Sequence, residues 1–480
     1  MKALARMSFA AGLLLLTAAQ TLRAAAPVYD PLETFAPFEY AHPVSDYRAA
    51  DGRPGEHYWQ NRVDYRIDAT LDTAEKKLSG TAAIRYRNFS PNSLDLLWLQ
   101  LDQNRYRADA RANFAGDSAP PAGEHTAGYQ IASVEWAGAD GRFEPVPYLV
   151  TDTRMRIDLP QPVPPDGGEA RIRIVYDYTI PGQFGGRTDW FHTKNGDIYE
   201  IAQWFPRLCV YDDLRGWNTL PYLNNEFYLE YGDIDYRVTV PANMVVVGSG
   251  ELVNPEEVLT ETALARLAQA RGSDETVIVR GVDEVTNPDS LRQAGGMLTW
   301  HFRMRNTRDV AFGASAAYLV DAARINLPDN RTALAMSAYP VESLEEGGWE
   351  RSTEYVKSTV EYFSDYLYEY PYATAIAEAG IAGGMEYPGI AFDWYKSDGK
   401  NLYGLTTHEV GHNWFPMIVG SNERRDAWID EGFNTFVDIL AAESFNDGEF
   451  APKRDGEYAP GGGNPVEEIV PVLVDPEAPP

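Results

Sequence analysis

The sequence predicts an α+β protein with more than one domain, in which an antiparallel β domain is followed by a mainly helical domain. The chain has 480 residues, which is too long for a single hydrophobic core. Hydrophobic residues alternate with polar ones from about residue 60, as in half-buried strands. After about residue 325 the hydrophobic spacing becomes that of amphipathic helices. We therefore expect a β domain over residues 27–325 and a helical domain over residues 326–480.

Residues 1–26 are predicted to be a signal peptide, which takes no part in the fold. Basic residues stand near its start, an apolar stretch covers residues 9–19, and three alanines at 24–26 form a cleavage site. The apolar stretch is too short to cross a bilayer, and the sequence contains no longer one. We therefore expect a secreted or periplasmic protein, cleaved near Ala26, that does not span a membrane.

The composition is that of an ordinary folded protein, with 44% hydrophobic and 12% aromatic residues. Its formal net charge of −30 argues against nucleic acid as a partner, because the phosphates would be repelled. Cys209 is the only cysteine, so the chain has no internal disulfide, and we expect this residue to be packed in the core.

The β domain is predicted from runs in which hydrophobic residues occupy every second position, with Asn, Asp, Gly and Pro marking the turns. These runs lie at residues 63–71, 82–86, 155–159, 172–178 and 236–240. One predicted helix, near residues 261–271, interrupts them.

The helical domain begins with an amphipathic helix near residues 355–366, which ends before Pro371. A strand-like stretch follows and ends in Gly-Gly-Met-Glu-Tyr-Pro-Gly at 383–389. Two more helices are predicted, one around residues 405–418 and one from about residue 429. Glycines and prolines near the end of the chain indicate a loop.

The most informative motif is His-Glu-Val-Gly-His at residues 408–412. Because a helix advances about 100° per residue, His408 and His412 project from the same side and can bind one metal ion. Glu409 lies between them and can reach a water molecule on that ion. Such a pattern also arises by chance on helices, but here its flanks are amphipathic and a second helix follows.

A third ligand is expected on that second helix. Glu431 stands nineteen positions after His412, and two histidines with one glutamate form an established zinc set. Asp430 is the nearest alternative, whereas a third histidine six residues after His412 is absent because Ile418 stands there. The helix is predicted to bury an apolar stripe, which consists of Ile429, Phe433, Phe436 and Leu440. The opposite stripe is free to face a metal ion, and it consists of Glu431, Asn434, Thr435 and Asp438.

Together these motifs resemble the aminopeptidase N family of gluzincin zinc metallopeptidases, which includes leukotriene hydrolase. HEVGHNWF at 408–415, with Glu431 in WIDEGF, is similar to the metal signature of that family. GGMEYPG at 383–389 resembles its exopeptidase motif, usually Gly-Ala-Met-Glu-Asn, and residues 308–312 resemble a stretch near the end of its first domain. The resemblance covers nearly all of the mature chain. It implies a saddle-like β domain followed by a thermolysin-like catalytic domain, here truncated at its carboxy terminus.

The resemblance also implies roles for single residues. The implied ligands of one zinc ion per chain are His408, His412 and Glu431. Glu409 would be the general base, which takes a proton from water at the zinc and passes it to the leaving amine. Glu386 would bind the free α-ammonium group of the substrate. Its neighbours in the substrate-binding segment would be Gly383, Gly384 and Met385.

The implied function is a zinc aminopeptidase, a hydrolase that removes amino-terminal residues from peptides. Two alternatives stay open: an endopeptidase that uses the same zinc, and a fragment that binds zinc and peptide without catalysis. Asp438, seven residues after Glu431, is a candidate for orienting a ligand imidazole, with a solvent-facing helix acid as the alternative. Gln203 is a weaker candidate for the pocket that receives the first substrate residue.

Two departures from the family pattern concern the substrate site. Tyr387 replaces the usual Asn after Glu386, which alters the shape of the pocket. The family also uses a tyrosine well downstream of the glutamate ligand to stabilise the oxyanion of the transition state. Tyr458 is the only tyrosine after Glu431, and it lies too close in sequence to match that role. We therefore expect the chain to be a fragment of a longer enzyme.

Overall fold

The structure is a computed structural model that describes residues 45–49, 53–114, 125–138, 140–182, 186–293, 295–344 and 348–452. The chain divides into two compact units, Met1–Tyr58 and Trp59–Pro480. The described residues of the first unit form an antiparallel bridge between Arg48 and Pro54. The predicted signal peptide and Tyr458 lie outside the described residues.

The strands below all belong to the second unit. Those of its first half are β1 (Arg62–Asp72), β2 (Lys77–Asn88), β3 (Leu94–Gln100), β4 (Gln130–Ala137), β5 (Phe143–Pro145), β6 (Tyr148–Thr151), β7 (Arg154–Val163), β8 (Gly168–Thr179), β9 (Thr188–Thr193), β10 (Gly196–Ile201), β11 (Arg207–Leu208), β12 (Tyr211–Asp212), β13 (Gly216–Trp217) and β14 (Gly232–Pro241). The later strands are β15 (Val245–Gly248), β16 (Glu251–Leu252), β17 (Val277–Arg280), β18 (Met297–Thr307), β19 (Phe312–Ser315), β20 (Leu319–Asn326), β21 (Thr332–Tyr339), β22 (Thr374–Gly380), β23 (Met385–Tyr387) and β24 (Ile390–Trp394).

The helices are fewer and lie mostly in the second half of the chain. The α-helices are α1 (Pro255–Val258), α2 (Glu261–Ala270), α3 (Val282–Val285), α4 (Ser352–Tyr366), α5 (Gly399–Gly411) and α6 (Phe433–Ser444). Wider, π-type turns cover Asn413–Ile418 and Trp428–Gly432. Short 3-10 turns cover Asp102–Tyr106, Arg111–Phe114, Pro288–Ser290, Pro328–Asn330, Val341–Leu344, Trp349–Arg351 and Phe445–Asp447.

The largest sheet has eight strands in the order β16-β18-β14-β1-β2-β8-β4-β5. Its long strands alternate buried and exposed residues, as the period of two predicts, so each run predicted in this region is confirmed as a strand. Neighbours are antiparallel except β1 and β14, which pair in parallel. The predicted antiparallel arrangement is confirmed for the other pairs of this sheet. The pair β1 and β14 departs from it, because hydrophobic alternation carries no information about strand direction.

Smaller sheets complete the β-rich region, with the orders β15-β19-β10-β9, β11-β3-β7-β6 and β12-β13. Trp204 joins the largest sheet to the sheet that contains β19, because its ring packs against Tyr236 of β14 and Phe312 of β19 at centroid distances of 5.8 and 5.4 Å. Cys209 is buried as expected, and burial raises the pKa of its thiol to about 12.

A six-stranded sheet, in the order β17-β20-β21-β22-β24-β23, is formed by strands from the second half of the chain. The predicted domain boundary after residue 325 falls at the end of β20, which pairs with β21 in this sheet. The region after that boundary contains four strands beside its helices, so the prediction of a mainly helical domain was incomplete. The reason is visible in β22, whose residues are buried at every position and therefore show no alternation.

Three helices, α4, α5 and α6, pack together beside this sheet. Aromatic rings fill their interface: Phe363 lies 5.0 Å from Trp414, and Tyr355 lies 5.3 Å from Tyr403 between ring centroids. Strand β23 forms the sheet edge and pairs antiparallel with β24, and the chain then enters α5. Among the described residues, no helix combines the length and the apolar character needed to cross a membrane.

Candidate metal centre

The two histidines of the motif lie together at the carboxy-terminal end of α5. His408 is in the last turn of the helix and His412 caps it. Their Nε2 atoms are 3.1 Å apart, as the i, i+4 spacing predicts. Gly411, between the two histidines, lets α5 pack closely against α4 and α6, because a Cβ there would lie 2.5 Å from Asn434 Oδ1 and 2.9 Å from Phe363 Cζ.

Glu431 completes a three-residue cluster with the histidines. Its Oε2 lies 3.1 Å from His408 Nε2 and 3.8 Å from His412 Nε2. Ligand atoms in a tetrahedral zinc site, each ~2.0–2.1 Å from the ion, lie about 3.3–3.4 Å from one another. The three inward atoms therefore fit a single zinc ion. Two nitrogens and one carboxylate oxygen are also the donor set that suits this metal.

The outer ring nitrogens of both histidines have acceptors. His408 Nδ1 lies 2.8 Å from Asp438 Oδ2. His412 Nδ1 lies 2.8 Å from Asp430 Oδ1 and 2.6 Å from the backbone oxygen of Phe415. When each Nδ1–H donates to these oxygens, the lone pair of each Nε2 points into the cluster. Asp430, the alternative third ligand, thus lies behind His412, whereas Glu431 faces the Nε2 atoms.

The charges around the cluster favour a cation between its donors. Burial works to lower the pKa of His408, but the hydrogen bonds with Asp438 and Glu431 prevail and raise it to about 10. The same contact with His408 lowers the pKa of Glu431 below its usual value. A proton shared by His408 Nε2 and Glu431 occupies the lone pairs that would bind a divalent cation in its place.

The apolar stripe predicted for α6 was wrong in part. Phe433 and Phe436 are 44% and 54% exposed, whereas Asn434 and Val437 are buried. The polar side of the helix faces α5, because Asn434 Nδ2 donates to the backbone oxygen of His408 at 2.7 Å and Asp438 contacts the ring of His408. Hydrogen bonds to the histidine helix therefore decide which side of α6 is buried.

Glu409 is buried beside the histidines and beneath the loop that leads to β23. Burial raises the pKa of its carboxyl to about 7, although His412 and His408 oppose the shift. The loop passes so close that a Cβ on Gly384, where φ is +133°, would lie 2.6 Å from Glu409 Oε1. Gly383 also has a positive φ, of +83°, so Gly383 and Gly384 both adopt backbone conformations that favour glycine and that this loop requires.

Glu386 lies on β23, between Met385 and Tyr387, with its carboxyl turned toward the histidine site. It is only 5% exposed, and its Oε1 atom has no hydrogen-bond partner among the described residues. Ligand atoms of Glu386, His412 and Asp430 lie within 4.8 Å of one another. Burial, and then the charge of Glu226, raise the pKa of Glu386 well above its usual value. Buried carboxyl oxygens are usually hydrogen-bonded, so this oxygen is available to a donor from water or from a ligand.

Two further glutamates, which sequence reasoning missed, adjoin Glu386. Carboxylate oxygens of Glu226, Glu386 and Glu423 lie within 4.8 Å of one another. Glu226 forms two hydrogen bonds with the guanidinium of Arg187, one of them at 2.6 Å. Neither glutamate stands in a periodic stretch or a motif, so nothing in the sequence distinguished them from surface acids.

Gln203, the weaker pocket candidate, is buried with a φ of +51°. Its Oε1 accepts a hydrogen bond from Tyr222 at 3.4 Å, and its backbone oxygen accepts one from Tyr129 at 3.0 Å. Its role in substrate binding stays a prediction.

A histidine pair on one helix, a glutamate from the next and a buried glutamate beside them define a candidate metallohydrolase site. No family model matches the chain. A curated protein of Encephalitozoon cuniculi (strain GB-M1), probable M1 family aminopeptidase 1, is 34% identical over 108 residues. Probable M1 family aminopeptidase 2 of the same organism is 33% identical over 108 residues. The predicted resemblance to a family of aminopeptidases is thus confirmed over these aligned residues.

The aligned residues amount to 18% of this chain and 12% of each of the two curated relatives. Among solved structures, an M1 zinc metallopeptidase from Deinococcus radiodurans aligns with 82% of this chain and 73% of its own, with a TM-score of 0.49 and 18% identity. A mutant of that protein bound to a Tyr-Ser-Ala substrate aligns with 81% and 72% of the two chains, also with a TM-score of 0.49 and 18% identity.

Proposed function

We propose that the protein is a zinc-dependent aminopeptidase, which hydrolyses the amino-terminal peptide bond of peptides. The observation that carries the proposal is the convergence of His408 Nε2, His412 Nε2 and Glu431 Oε2 to within 3.1–3.8 Å, next to the buried Glu409 and the unpaired oxygen of Glu386. The aminopeptidases that match part of the sequence support the same class of reaction.

Zinc held by the three ligands would polarise the scissile carbonyl and bring the pKa of a bound water toward about 7. Glu409 then accepts a proton from water at its carboxylate and delivers it to the nitrogen of the leaving amine. Burial favours the protonated form of this carboxyl, which helps it to hold the proton between the two transfers. The overlying loop at Gly384 limits access of bulk water to this carboxyl.

Glu386 would select substrates with a free amino terminus. Its unpaired oxygen can accept a charge-assisted hydrogen bond from an α-ammonium group, an interaction worth about 1.5–3 kcal/mol. Because Glu386 and His412 lie within one cluster, the bound amine is held next to the first peptide bond. Cleavage then occurs at the chain end rather than within the peptide.

The remaining parts of the proposal concern stoichiometry and location. We infer one zinc ion per chain, peptides with a free amino terminus as substrates, and no nucleic-acid partner, the last supported by the net charge of −30. The signal-like residues 1–26 support secretion or a periplasmic location.

Replacing the general base tests the mechanism. We expect Glu409→Gln to bind zinc as the wild type does, because its side chain is not among the three converging ligands. Turnover should fall by ~10²–10⁴-fold, since the amide cannot carry the proton. Zinc content by elemental analysis and hydrolysis of aminoacyl-p-nitroanilides measure both effects. Wild-type turnover by the zinc-loaded variant would contradict the proposed mechanism.

Glu386→Ala tests the specificity. We expect kcat/KM for peptides with a free amino terminus to fall ~10–150-fold, because a charge-assisted contact is lost. Amino-acetylated peptides lack the charge and should show little change. Equal losses on both substrate types would instead identify an endopeptidase.

The binding-only alternative is tested on the wild-type chain. Binding of zinc and peptide without turnover would favour that alternative.

A further inference from the structure

Building on the proposed function, we propose that Glu226 is a second carboxylate that binds the α-ammonium group of the substrate, held in position by Arg187. Glu226 and Glu386 would then grip the ammonium from two sides. The specificity for a free amino terminus would come from this pair rather than from Glu386 alone.

The spacing of the carboxylates fits an ammonium group. An ammonium nitrogen has three N–H donors in tetrahedral directions, each reaching an acceptor at ~2.8 Å. Two acceptors of one such nitrogen therefore lie about 4.6 Å apart. Oxygens of Glu226, Glu386 and Glu423 lie within 4.8 Å of one another, so one nitrogen can contact two of them.

Carboxylates that lie close together repel one another unless each is paired with a cation or protonated. In the described part of the chain, basic side chains pair with two of these three glutamates but not with the third. Arg187 forms a two-pronged ion pair with Glu226, and Arg308 pairs with Glu423 at 2.7 Å. Glu386 has an oxygen with no hydrogen-bond partner among the described residues, although it is only 5% exposed. Among the three, Glu386 is therefore the carboxyl beside which a cation from a ligand would fit.

Glu226 is better placed than Glu423 to share that cation. The side chain of Glu226 is 19% exposed, whereas that of Glu423 is 1% exposed and already accepts from the backbone N–H of Phe227 at 3.1 Å. Each oxygen of Glu226 keeps a second lone pair beside its contact with Arg187. Glu226 is therefore the more accessible of the two to a substrate.

The segment that carries Glu226 is fixed to the chain between the two metal-binding elements. Arg424 donates from Nε to the backbone oxygen of Glu226 at 3.0 Å and from Nη1 to that of Leu220 at 2.6 Å. Phe227, the next residue, packs its ring against Tyr387 with the centroids 6.3 Å apart. Tyr387, which stands where the Gly-Ala-Met-Glu-Asn pattern has Asn, thus contacts the segment that presents Glu226.

The test compares variants of the zinc-loaded protein with leucyl-p-nitroanilide as substrate. We expect Glu226→Gln to raise KM by ~10-fold or more while kcat stays within about threefold, because a contact shared by substrate and transition state is lost. Glu369→Gln is the matched control, since that carboxylate also pairs with an arginine, Arg331, but at the surface. The control should leave both constants unchanged.

A binding measurement separates recognition from turnover. In zinc-loaded Glu409→Gln, calorimetry should show leucinamide bound ~10-fold or more tighter than N-acetyl-leucinamide, and adding Glu226→Gln should remove most of that preference. Because Glu226→Gln leaves the partly buried Arg187 without its partner, the double variant Arg187→Gln/Glu226→Gln is measured as well. It removes the unpaired charge and should show the same raised KM.

The outcomes distinguish this inference from the proposed function. If the wild type does not cleave leucyl-p-nitroanilide or related free-amine substrates, the proposed function fails. If it does, and if Glu386→Ala impairs it while Glu226→Gln and the double variant keep KM within twofold, only the role of Glu226 is overturned. An unchanged preference for leucinamide in the calorimetry would overturn it equally.

Discussion

At the scale of single residues, the proposed zinc centre depends on the hydrogen bonds behind its candidate ligands. Asp438 holds His408 Nδ1 at 2.8 Å, and Asp430 with the Phe415 carbonyl holds His412 Nδ1. These acceptors stabilise the tautomer of each histidine that carries its hydrogen on Nδ1, so that both Nε2 lone pairs point toward Glu431. A ligand imidazole that is free to rotate or to change tautomer would bind the metal ion less tightly.

Asp438→Ala should therefore weaken zinc binding without removing a ligand. We expect the zinc affinity to fall ~10–100-fold, the usual cost of losing a carboxylate behind a ligand histidine. Competition with a chromophoric chelator measures the dissociation constant. Asp365→Ala, which removes an exposed acid from α4, should leave it unchanged. Equal affinities for the Asp438 variant and the wild type would mean that His408 needs no such support.

Helical spacing in the sequence predicted which side chains of the proposed centre lie together. His408, Glu409 and His412 follow from one turn of helix, and Asp438 from its position seven residues after Glu431. Glu226 was not predictable in this way, because a segment without periodic structure brings it beside Glu386 across 160 residues of chain. Only the folded chain shows that contact.

At the scale of elements, the packing of α5 against α4 and α6 sets the position of the histidines. The helices approach closely where Gly411 lies between Phe363 of α4 and Asn434 of α6. Asn434 also fastens α6 to α5 through the backbone oxygen of His408. The amphipathic pattern predicted that these helices exist, but it placed Phe433 and Phe436 in the core because it counts apolar residues and ignores such hydrogen bonds.

Two glycines of α5 allow a matched comparison. We expect Gly411→Ala to lower the free energy of unfolding by about 1–3 kcal/mol, because its Cβ would overlap Asn434 and Phe363. Gly404→Ala, in the same helix, meets no atom within 4 Å and should raise stability by up to about 1 kcal/mol. Denaturant titration of both variants measures the difference. Stabilisation by both substitutions would show that the helices tolerate a wider spacing at Gly411.

At the scale of the whole molecule, the β-rich region supports the chain that joins the two elements of the proposed metal centre. Arg308, which follows β18, is buried and pairs with Glu423 at 2.7 Å. It also donates to the backbone oxygens of Pro416 at 3.4 Å and Ser421 at 3.3 Å. The sequence indicated residues 308–312 only through a family resemblance. The structure gives that stretch a physical role, which is to fix the path from His412 to Glu431.

Arg308→Met should therefore destabilise the protein by about 3–5 kcal/mol, because it leaves Glu423 buried without its cation. The double variant Arg308→Met/Glu423→Gln should lose less stability than Arg308→Met alone.

The cost of Arg308→Met should depend on pH. Burial raises the pKa of Glu423, and removing Arg308 raises it further, so stability is lost as the pH rises through that pKa. The cost of Arg308→Met should accordingly be larger at pH 9 than at pH 6. Denaturant titration at both pH values measures it, with Arg331→Met, which breaks a surface pair worth ~1 kcal/mol or less, as the control. A cost that is independent of pH, and equal in the single and double variants, would show that Arg308 acts through its packing and backbone contacts rather than through the charge of Glu423.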